Sequence, residues 1–312
     1  MKIFQDLTAI NSIPNPVLTI GTFDGVHIGH QKILQQVKKE AEKIGGESVL
    51  FTFFPHPRMV LYPESHGLKL LQTQEEKMAK LARVGVENCI VYPFTFDFSR
   101  LSAIEFVRDI LVNKLQIKKL VIGYDHQFGK NREGNIEFLK EICEVYGFEV
   151  IEIPAQDIDA VNVSSTKIRK AILYGDLAKA NEYLGERFEL TGTVVHGQAI
   201  GKTIGFPTAN IQVNSELKLI PGNGVYAVTV SLKDSDYIGM LNIGNRPTVN
   251  DSADRTIEVH ILDFIGEIYA EEITVKFIDK LRDEKQFKDL QELQNQLKED
   301  EKFIRTKYLD FT

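Results

Sequence analysis

The sequence predicts an α/β fold in two parts: a parallel sheet with helices on both faces, then a small antiparallel barrel with a terminal helix. Two observations carry this prediction. Apolar strand-like runs alternate with amphipathic helical segments as far as residue 185. From Phe188 onward the runs are short, β-like and separated by turns rich in Gly, Asn and Asp. The length of 312 residues fits two domains, which we place at 1–185 and 186–312.

In the first part, apolar runs bounded by Gly, Pro or Asn predict strands, and a 3.6-residue apolar period predicts the helices between them. Ser102 with Glu105 is a capping box, so a helix is expected from about Ser102. The Pro55-His56-Pro57 segment is expected to end a strand. The predicted strands are 17–20, 48–54, 89–92, 119–122 and 149–153, and the predicted helices begin near 28, 74, 102, 134 and 164.

In the second part, six short runs without intervening helices predict the barrel. The predicted strands are 188–195, 208–213, 224–232, 237–243, 256–264 and 273–278, followed by a helix over about 284–308.

Bulk composition excludes several classes of protein. The net charge of −7 argues against a broad nucleic-acid-binding face. No apolar run reaches the ~18 residues that span a bilayer, and the N-terminus lacks the apolar core of a signal peptide. Two cysteines make no disulfide framework, so a cytoplasmic protein is expected. Nothing in the sequence requires a protein partner.

The segment from Gly21 to His30 is a glycine-rich turn between a strand and a helix. Such a turn lets the backbone approach a ligand closely and aims free N–H groups of the helix at it, which is the outline of a phosphate site. His27 and His30 are three residues apart, on one side of the first helical turn, where they can donate to phosphate oxygens. A plain turn with two surface histidines, or a metal-binding pair, are the alternative interpretations.

Polar residues follow three predicted strands of the parallel sheet. Asp24 follows the first strand, His56 the second, and Asp125 with His126 the strand at 119–122. The carboxyl ends of parallel strands meet at one edge, where ligands bind. We therefore expect these residues at one site, although each loop alone is equally consistent with a solvated turn.

A second anion site is predicted where Val163-Ser164-Ser165-Thr166 opens a helix. Hydroxyls, free N–H groups and the cations Lys167 and Arg169 lie within one helical turn. Simple helix capping by serine is the alternative interpretation.

In the second part, Gly201 and Gly205 with Lys202 between them predict a mobile loop that covers phosphates. Thr208 and Asn210 alternate on a strand, so their oxygens share one face and suit Mg²⁺. A solvent-facing pair on an edge strand is the alternative. Glu258 is either the polar side of an amphipathic strand or a general base held in a pocket.

With these residues in view, the whole chain resembles the bacterial bifunctional riboflavin kinase/FMN adenylyltransferases, or FAD synthetases. The first half is similar to the Rossmann-like HxGH nucleotidyltransferases through Gly21–His30, including Phe23, and through Ser165-Thr166-Lys167-Ile168-Arg169. The second half is similar to the riboflavin kinase barrel through Gly205-Phe206-Pro207-Thr208-Ala209-Asn210 and Glu258-Val259-His260. The family usually has an aromatic residue where this chain has His126.

The resemblance implies two ATP-dependent reactions in series. The second half would phosphorylate riboflavin to FMN, with Thr208 and Asn210 holding Mg²⁺ and Glu258 as base. The first half would join AMP to FMN, giving FAD and pyrophosphate, with His27 and His30 catalytic. The resemblance implies nucleotide contacts at the remaining positions, namely Gly21, Phe23, Asp24, His56, Asp125, Ser165, Thr166, Arg169, Gly201, Lys202 and Gly205. A kinase with a degenerate first half, or a flavin-binding regulator, are the alternative functions.

Overall fold

The computed structural model divides the chain into two compact units, Met1–Ser165 and Thr166–Thr312. It describes residues 1–10, 12–64, 67–124, 126–154, 163–197, 200–245 and 255–308. The first domain predicted from the sequence runs on to residue 185, and that boundary stays a prediction.

The first unit is a six-stranded sheet in the order β1-β4-β3-β2-β5-β6, and all its strand pairs are parallel. The predicted α/β class is therefore confirmed. From β2 the chain moves outward through β3 and β4, then returns to β5 on the other side of β2, so the strand order reverses between β2 and β5. The strands are β1 Lys2–Phe4, β2 Val17–Ile20, β3 Ser48–Phe54, β4 Asn88–Pro93, β5 Lys119–Gly123 and β6 Glu149–Ile153.

Helices cover both faces of this sheet. They are α1 Ile28–Lys43, α2 Pro57–Leu61, α3 Gln74–Val84, α4 Ala103–Glu105, continued by a π-helical segment Phe106–Lys114, and α5 Ile136–Tyr146. Alternate strand residues face opposite helices. Leu18 packs in one cluster with Leu111 and Leu139, whereas Leu50 on the other face packs with Leu34 of α1 and Leu81 of α3.

Three local features depart from the expectations for this unit. Lys2–Phe4 adds an edge strand that pairs with β4. The Pro55-His56-Pro57 segment follows the end of β3 as expected, but Pro57 also opens α2, because proline suits the first position of a helix. The helix predicted from Ser102 keeps its capping box with Glu105 and then widens to a π-helix.

The second unit is a closed antiparallel barrel in the order β10-β11-β8-β7-β12-β9, which confirms the predicted architecture. Its strands are β7 Glu189–Val195, β8 Ala209–Val213, β9 Gly224–Leu232, β10 Ser235–Asn245, β11 Arg255–Ile261 and β12 Glu272–Arg282. Its helices are α6 Ser165–Tyr174, of which only the first residue belongs to the other unit, α7 Leu177–Leu184, the short α8 Ile200–Thr203 and the terminal α9 Leu290–Tyr308.

The terminal helix begins about one and a half turns later than predicted. Asp289 accepts a hydrogen bond from the backbone N–H of Glu292, and the Glu292 carboxylate accepts one from the N–H of Lys288. These two hydrogen bonds fix the start of the helix at Leu290 and not near residue 284. The helix is held on the barrel by an ion pair from Arg282 of β12 to the buried Asp300, at 2.8 Å.

Candidate functional site

A cavity of about 1060 Å³ lies in the first unit, beside the carboxyl ends of β2 and β5. This is the edge at which the strand order reverses, where parallel sheets bind their ligands. The volume slightly exceeds the usual range for one small-molecule site, ~300–1,000 Å³, so there is room for two substrates. Its polar lining includes His27, His30 and His126, together with Ser164 and Ser165.

The glycine turn at this cavity has an unusual backbone. Phe23 and Val26 have φ of 49° and 36°, and Gly25 has φ of 86°. A non-glycine residue with positive φ is uncommon, so two in one turn indicate a conformation imposed by the surroundings. A side chain at Gly29 would be crowded, because its Cβ would come within 3.1 Å of Val163 and 3.3 Å of the His27 ring.

The two histidines of the turn form a stacked pair. Their ring centroids are 3.6 Å apart with an interplanar angle of 16°. His27 is the N-cap of α1: its Nδ1 accepts the backbone N–H of His30 at 3.3 Å. When the ring is neutral, its proton is therefore on Nε2, which is a donor. Within the described part of the chain, the buried Nδ1 of His30 has no hydrogen-bond partner.

The electrostatic setting keeps His30 uncharged. Burial, with the neighbouring charges of His27, Lys77 and Lys80, holds the pKa of His30 well below its usual range. At neutral pH this ring is a neutral imidazole, so it contributes a hydrogen bond rather than a full positive charge. Lys77 and Lys80 bring positive charge directly to the backbone of the turn.

Not every predicted residue lines the cavity. The Asp24 carboxylate is buried and accepts a hydrogen bond from the backbone N–H of Leu71, with oxygen–nitrogen distances of 3.0 and 3.2 Å. It therefore anchors the glycine turn and does not line the cavity. His56 caps α2 through Nδ1, and the next residue, Pro57, is the one that reaches the cavity wall. Asp125 lies outside the described residues.

The Ser-Ser-Thr segment meets the glycine turn at its first helical residue. The hydroxyl of Ser165 donates to the backbone carbonyl of Asp24 at 2.9 Å, and both Ser164 and Ser165 line the cavity. The first anion site and the start of the second therefore belong to one cavity. Thr166 and Arg169 continue along α6, and their contact with a nucleotide stays a prediction.

Sequence reasoning missed two groups of residues at this site. The first is a set of aromatic rings along one wall, with neighbouring centroids 5.4 to 6.4 Å apart: Phe53, Phe94, Phe98, Phe106 and Phe128, with Phe138 behind them. The second is a pair of buried lysines on α3, Lys77 and Lys80. Phenylalanines scattered along a sequence are usually interpreted as core residues. Lysines on a helix are usually interpreted as part of its solvent-exposed face.

In the barrel, a smaller cavity of about 290 Å³ is lined by Thr208, Asn242 and Glu258. The Thr208 hydroxyl lies 3.3 Å from a Glu258 carboxylate oxygen. Glu258 of β11 is directly opposite Asn210 of β8 and Asn242 of β10, so these three side chains share one face of the barrel wall. Thr208 and Glu258 line this cavity, whereas Asn210 is not among its lining residues, and the metal role predicted for Thr208 and Asn210 stays a prediction.

The predicted loop over this cavity is partly helical. Gly201 belongs to α8 and lines the cavity. The backbone N–H of Phe206 donates a hydrogen bond to the Gly201 carbonyl at 2.8 Å. Gly205 has φ of 84°, which makes that turn possible. Lys202 is exposed and is not among the residues that line the cavity. Its closure over phosphates stays a prediction.

Gly197 leads to a testable expectation. A Cβ at this position would overlap the side-chain amide of Asn210. We expect Gly197→Ala to displace that amide and to lower the second half's catalytic efficiency about 10- to 100-fold, since small misplacements at a reacting centre have effects of this size. Initial rates of the barrel's reaction measure the effect. Activity of the first half in the same variant is the control, and an unchanged barrel rate contradicts the role of Asn210.

The two cavities thus differ in the chemistry they support. One offers the neutral His30 imidazole, the His27 ring, hydroxyls and a helix N-terminus beside a parallel sheet, which suits transfer of a nucleotidyl group without a base. The other offers a carboxylate beside hard oxygen ligands, which suits phosphoryl transfer to a hydroxyl. Together they define a two-domain transferase that uses nucleotides in both halves.

The family follows from comparison with known proteins. The FAD synthetase family model matches residues 10–167, and the riboflavin kinase family model matches residues 184–308. The chain belongs to the family of bifunctional riboflavin kinase/FMN adenylyltransferases. The predicted family, the two transferase activities and their order along the chain are confirmed.

Relatives with that name match this chain over nearly its full length. The protein of Listeria monocytogenes is 41% identical over 93% of this chain and 92% of its own length. That of Pseudomonas fluorescens is 37% identical, covering 91% and 90%. That of Escherichia coli K12 is 37% identical, covering 96% of both chains.

A solved structure also matches the whole fold. It is described as a macrolide-efflux protein from Streptococcus pneumoniae, with a TM-score of 0.87, 32% identity and 98% coverage of both chains. In the chain segments that the structure describes, none of the helices combines the length and apolarity needed to cross a membrane.

Proposed function

We propose that the cavity of the parallel-sheet unit is where AMP is joined to FMN, and that the barrel cavity is where riboflavin is phosphorylated. The observation that supports this most is the stacked His27/His30 pair in one cavity with Ser165, while the only carboxylate among the predicted catalytic residues, Glu258, lies in the other. FMN made by the second half is then the substrate of the first.

Adenylyl transfer needs no base, since the FMN phosphate is already an anionic nucleophile. Its oxygen attacks the α-phosphorus of ATP, the bond to the β-phosphate bridging oxygen breaks, and pyrophosphate leaves with that electron pair. What this half must supply is hydrogen bonding to the charge that builds on the α-phosphate and on pyrophosphate. We propose that His27 Nε2, the His30 ring and the N–H groups at the start of α1 supply it. The phosphates would also be bound from the start of α6, by Ser165, Thr166 and Arg169.

The phenylalanine wall of this cavity suits planar rings. Aromatic rings favour offset-stacked or edge-on neighbours at centroid distances of ~4.5–7 Å, and both adenine and isoalloxazine are flat. Phe98 lies near the centre of the wall, with Phe53, Phe94 and Phe106 within 5.9 Å, centroid to centroid. We propose that one substrate ring lies against these side chains while its phosphates reach the histidines.

In the barrel, Glu258 is proposed to orient the ribityl hydroxyl of riboflavin and to accept its proton. The oxygen then attacks the γ-phosphorus of ATP, and ADP leaves. The 3.3 Å contact between Glu258 and Thr208 places the carboxylate beside the group proposed to hold the phosphates. Phosphoryl transfer depends mainly on positioning, which a rigid barrel wall favours.

Mg²⁺ fits the same donor set. Hydroxyl, amide and carboxylate oxygens are the hard ligands that this ion takes, usually few from protein and the rest from water and phosphate. Thr208 and Asn210 would hold it, and it would supply charge neutralisation for the ATP phosphates.

Replacement of Thr208 tests the metal role. We expect Thr208→Val, which keeps the shape and removes the hydroxyl, to raise the Mg²⁺ concentration for half-maximal kinase rate by about tenfold or more, since loss of supporting metal contacts typically costs ~10–100-fold. The Mg²⁺ dependence of adenylyl transfer in the same variant is the control. A kinase titration that superimposes on the wild type would remove Thr208 from the metal site.

The division of labour is tested directly by a time course. Purified protein with riboflavin, excess ATP and Mg²⁺ should form FMN first and FAD after it, resolved by chromatography. A product that stops at FMN would support a degenerate first half, and absence of ATP turnover would support a flavin-binding regulator.

We also propose a cytoplasmic enzyme that acts without an obligate protein partner. Both cysteines are free thiols, which supports a reducing compartment.

A further inference from the structure

Two lysines are buried beneath the glycine turn. Lys77 and Lys80 lie one helical turn apart on α3, with only 6% and 3% of their surfaces exposed. Lysine is almost never fully buried unless its ammonium group is compensated, because desolvation of the charge is costly. Neither residue belongs to a motif of the sequence, and their placement calls for a physical explanation.

Both ammonium groups bind carbonyls of the glycine turn. Lys77 Nζ donates to the Thr22 carbonyl at 2.8 Å and to the Thr52 hydroxyl at 2.7 Å. Lys80 Nζ donates to the Gly25 carbonyl at 3.2 Å. In a trans peptide, the C=O of one residue and the N–H of the next point in opposite directions. The amide of Phe23 is therefore turned away from Lys77, and Thr22 and Phe23 both line the cavity.

The same contacts account for the strained turn. The positive φ values of Phe23 and Val26 persist only if surrounding groups over-determine them. Lys77 and Lys80 hold two of its carbonyls, Leu71 holds the Asp24 carboxylate, and Ser165 holds the Asp24 carbonyl. Of these anchors, the lysines alone carry positive charge. Because His30 is neutral, their charges add positive field beneath the turn to that of Arg100, Lys130 and Arg132, which line the cavity.

We propose that Lys77, assisted by Lys80, is a positioning residue for adenylyl transfer: it sets the glycine turn in its anion-binding conformation and provides buried positive charge beneath the phosphates. The proposal rests on the assignment of this cavity to adenylyl transfer. Lys77 touches the turn, not the substrate, so it acts through Thr22 and Phe23.

The charge of Lys77 gives the proposal a pH signature. Burial lowers the pKa of Lys77 to about 8. The ionisable groups that face it are Asp24 of the turn and Cys89 of β4, with Lys80 on its own helix and His30 above. Above about pH 8 the Lys77 ammonium loses its proton. The positive field beneath the turn then weakens, and so does the hydrogen bond that Lys77 donates to the Thr22 carbonyl. Adenylyl transfer should therefore fall as pH rises through 8, while the kinase rate of the same molecule should not follow.

The stability effect has the opposite sign to that of an ordinary structural lysine. The folded-state pKa is lower than the unfolded value of 10.5, so the folded protein binds fewer protons between these pH values and stability rises with pH there. At neutral pH the charged Lys77 is a net cost. Lys77→Met removes that cost, and the Thr22 carbonyl keeps the Thr52 hydroxyl as donor at 3.1 Å.

The test compares Lys77→Met with Arg83→Met, which removes a cation from an exposed position of the same helix. We expect Lys77→Met to lower kcat/KM for adenylyl transfer by about tenfold or more, to abolish the fall near pH 8, and to leave the kinase rate and Tm no lower than wild type. Arg83→Met should match wild type. A Lys77→Met protein with wild-type adenylyl transfer and an unchanged pH profile overturns the proposal.

Two further measurements separate the possible failures. If Lys77→Met does not fold, the wild-type pH profile decides, since a rate of adenylyl transfer that is flat through pH 8 overturns the proposal by itself. His30→Ala, assayed in parallel, tests the site. Normal FAD formation by His30→Ala would remove the site assignment, whereas a blocked His30→Ala beside an active Lys77→Met would remove only the role of Lys77.

Discussion

His30→Ala is expected to convert riboflavin to FMN and to stop there. The ring lies over Phe23, with centroids 4.6 Å apart, and is stacked on His27, so its position in the cavity is fixed by packing on both sides. Alanine removes a preorganised donor from the point where charge develops on the α-phosphate. Loss of one such donor typically lowers turnover by ~10²–10³-fold. FMN should accumulate while FAD formation falls by about that factor.

The same molecule supplies the main control for this prediction. Riboflavin phosphorylation takes place in the barrel and should keep its wild-type rate, which shows that the variant is correctly folded there. Gln35→Ala, an exposed position on the same helix, controls for the first unit. FAD output from His30→Ala equal to that of Gln35→Ala would exclude the histidine from the mechanism.

The fold was predictable because its signals are local. The four residues of β2 are all buried, and the apolar run at 17–20 is enough to identify the strand. The capping box of Ser102 and Glu105 is likewise present where two residues predicted it. The error at the last helix arose because residues 284–289 have a composition compatible with a helix, while the capping by Asp289 depends on backbone geometry. Pro57 shows the converse, since a residue read as a strand breaker also starts a helix.

The site was predictable only where its residues are close in sequence. The spacing of His27 and His30 was enough to place both rings together, as the stacked pair confirms. The bond from Ser165 to Asp24 joins residues 141 positions apart, and no local pattern reports it. Lys77 and Lys80 were overlooked because Glu75-Glu76-Lys77-Met78-Ala79-Lys80 has the composition of a solvated helix face. Only burial distinguishes these two lysines from ordinary surface lysines.

Glu258→Gln is expected to have the largest effect on the kinase half. Glutamine has nearly the same shape and can still accept the hydrogen bond from Thr208, so the barrel wall should be unchanged. What is lost is the ability to take the proton of the ribityl hydroxyl. General-base assistance contributes ~10²–10⁴-fold, and kinase turnover should fall within that range. Riboflavin affinity should change little, because a base acts on the transition state more than on binding.

Adenylyl transfer distinguishes loss of the base from loss of the fold in this variant. Supplied directly with FMN and ATP, Glu258→Gln should form FAD at the wild-type rate, because that reaction needs no proton acceptor and takes place in the other unit. Glu272→Gln, an exposed carboxylate of the same barrel, is the matched control and should retain the kinase rate. If Glu258→Gln phosphorylates riboflavin as fast as Glu272→Gln, the carboxylate is not the base. The barrel would then act by positioning alone, with Thr208 and the asparagines of β8 and β10 as its main polar groups.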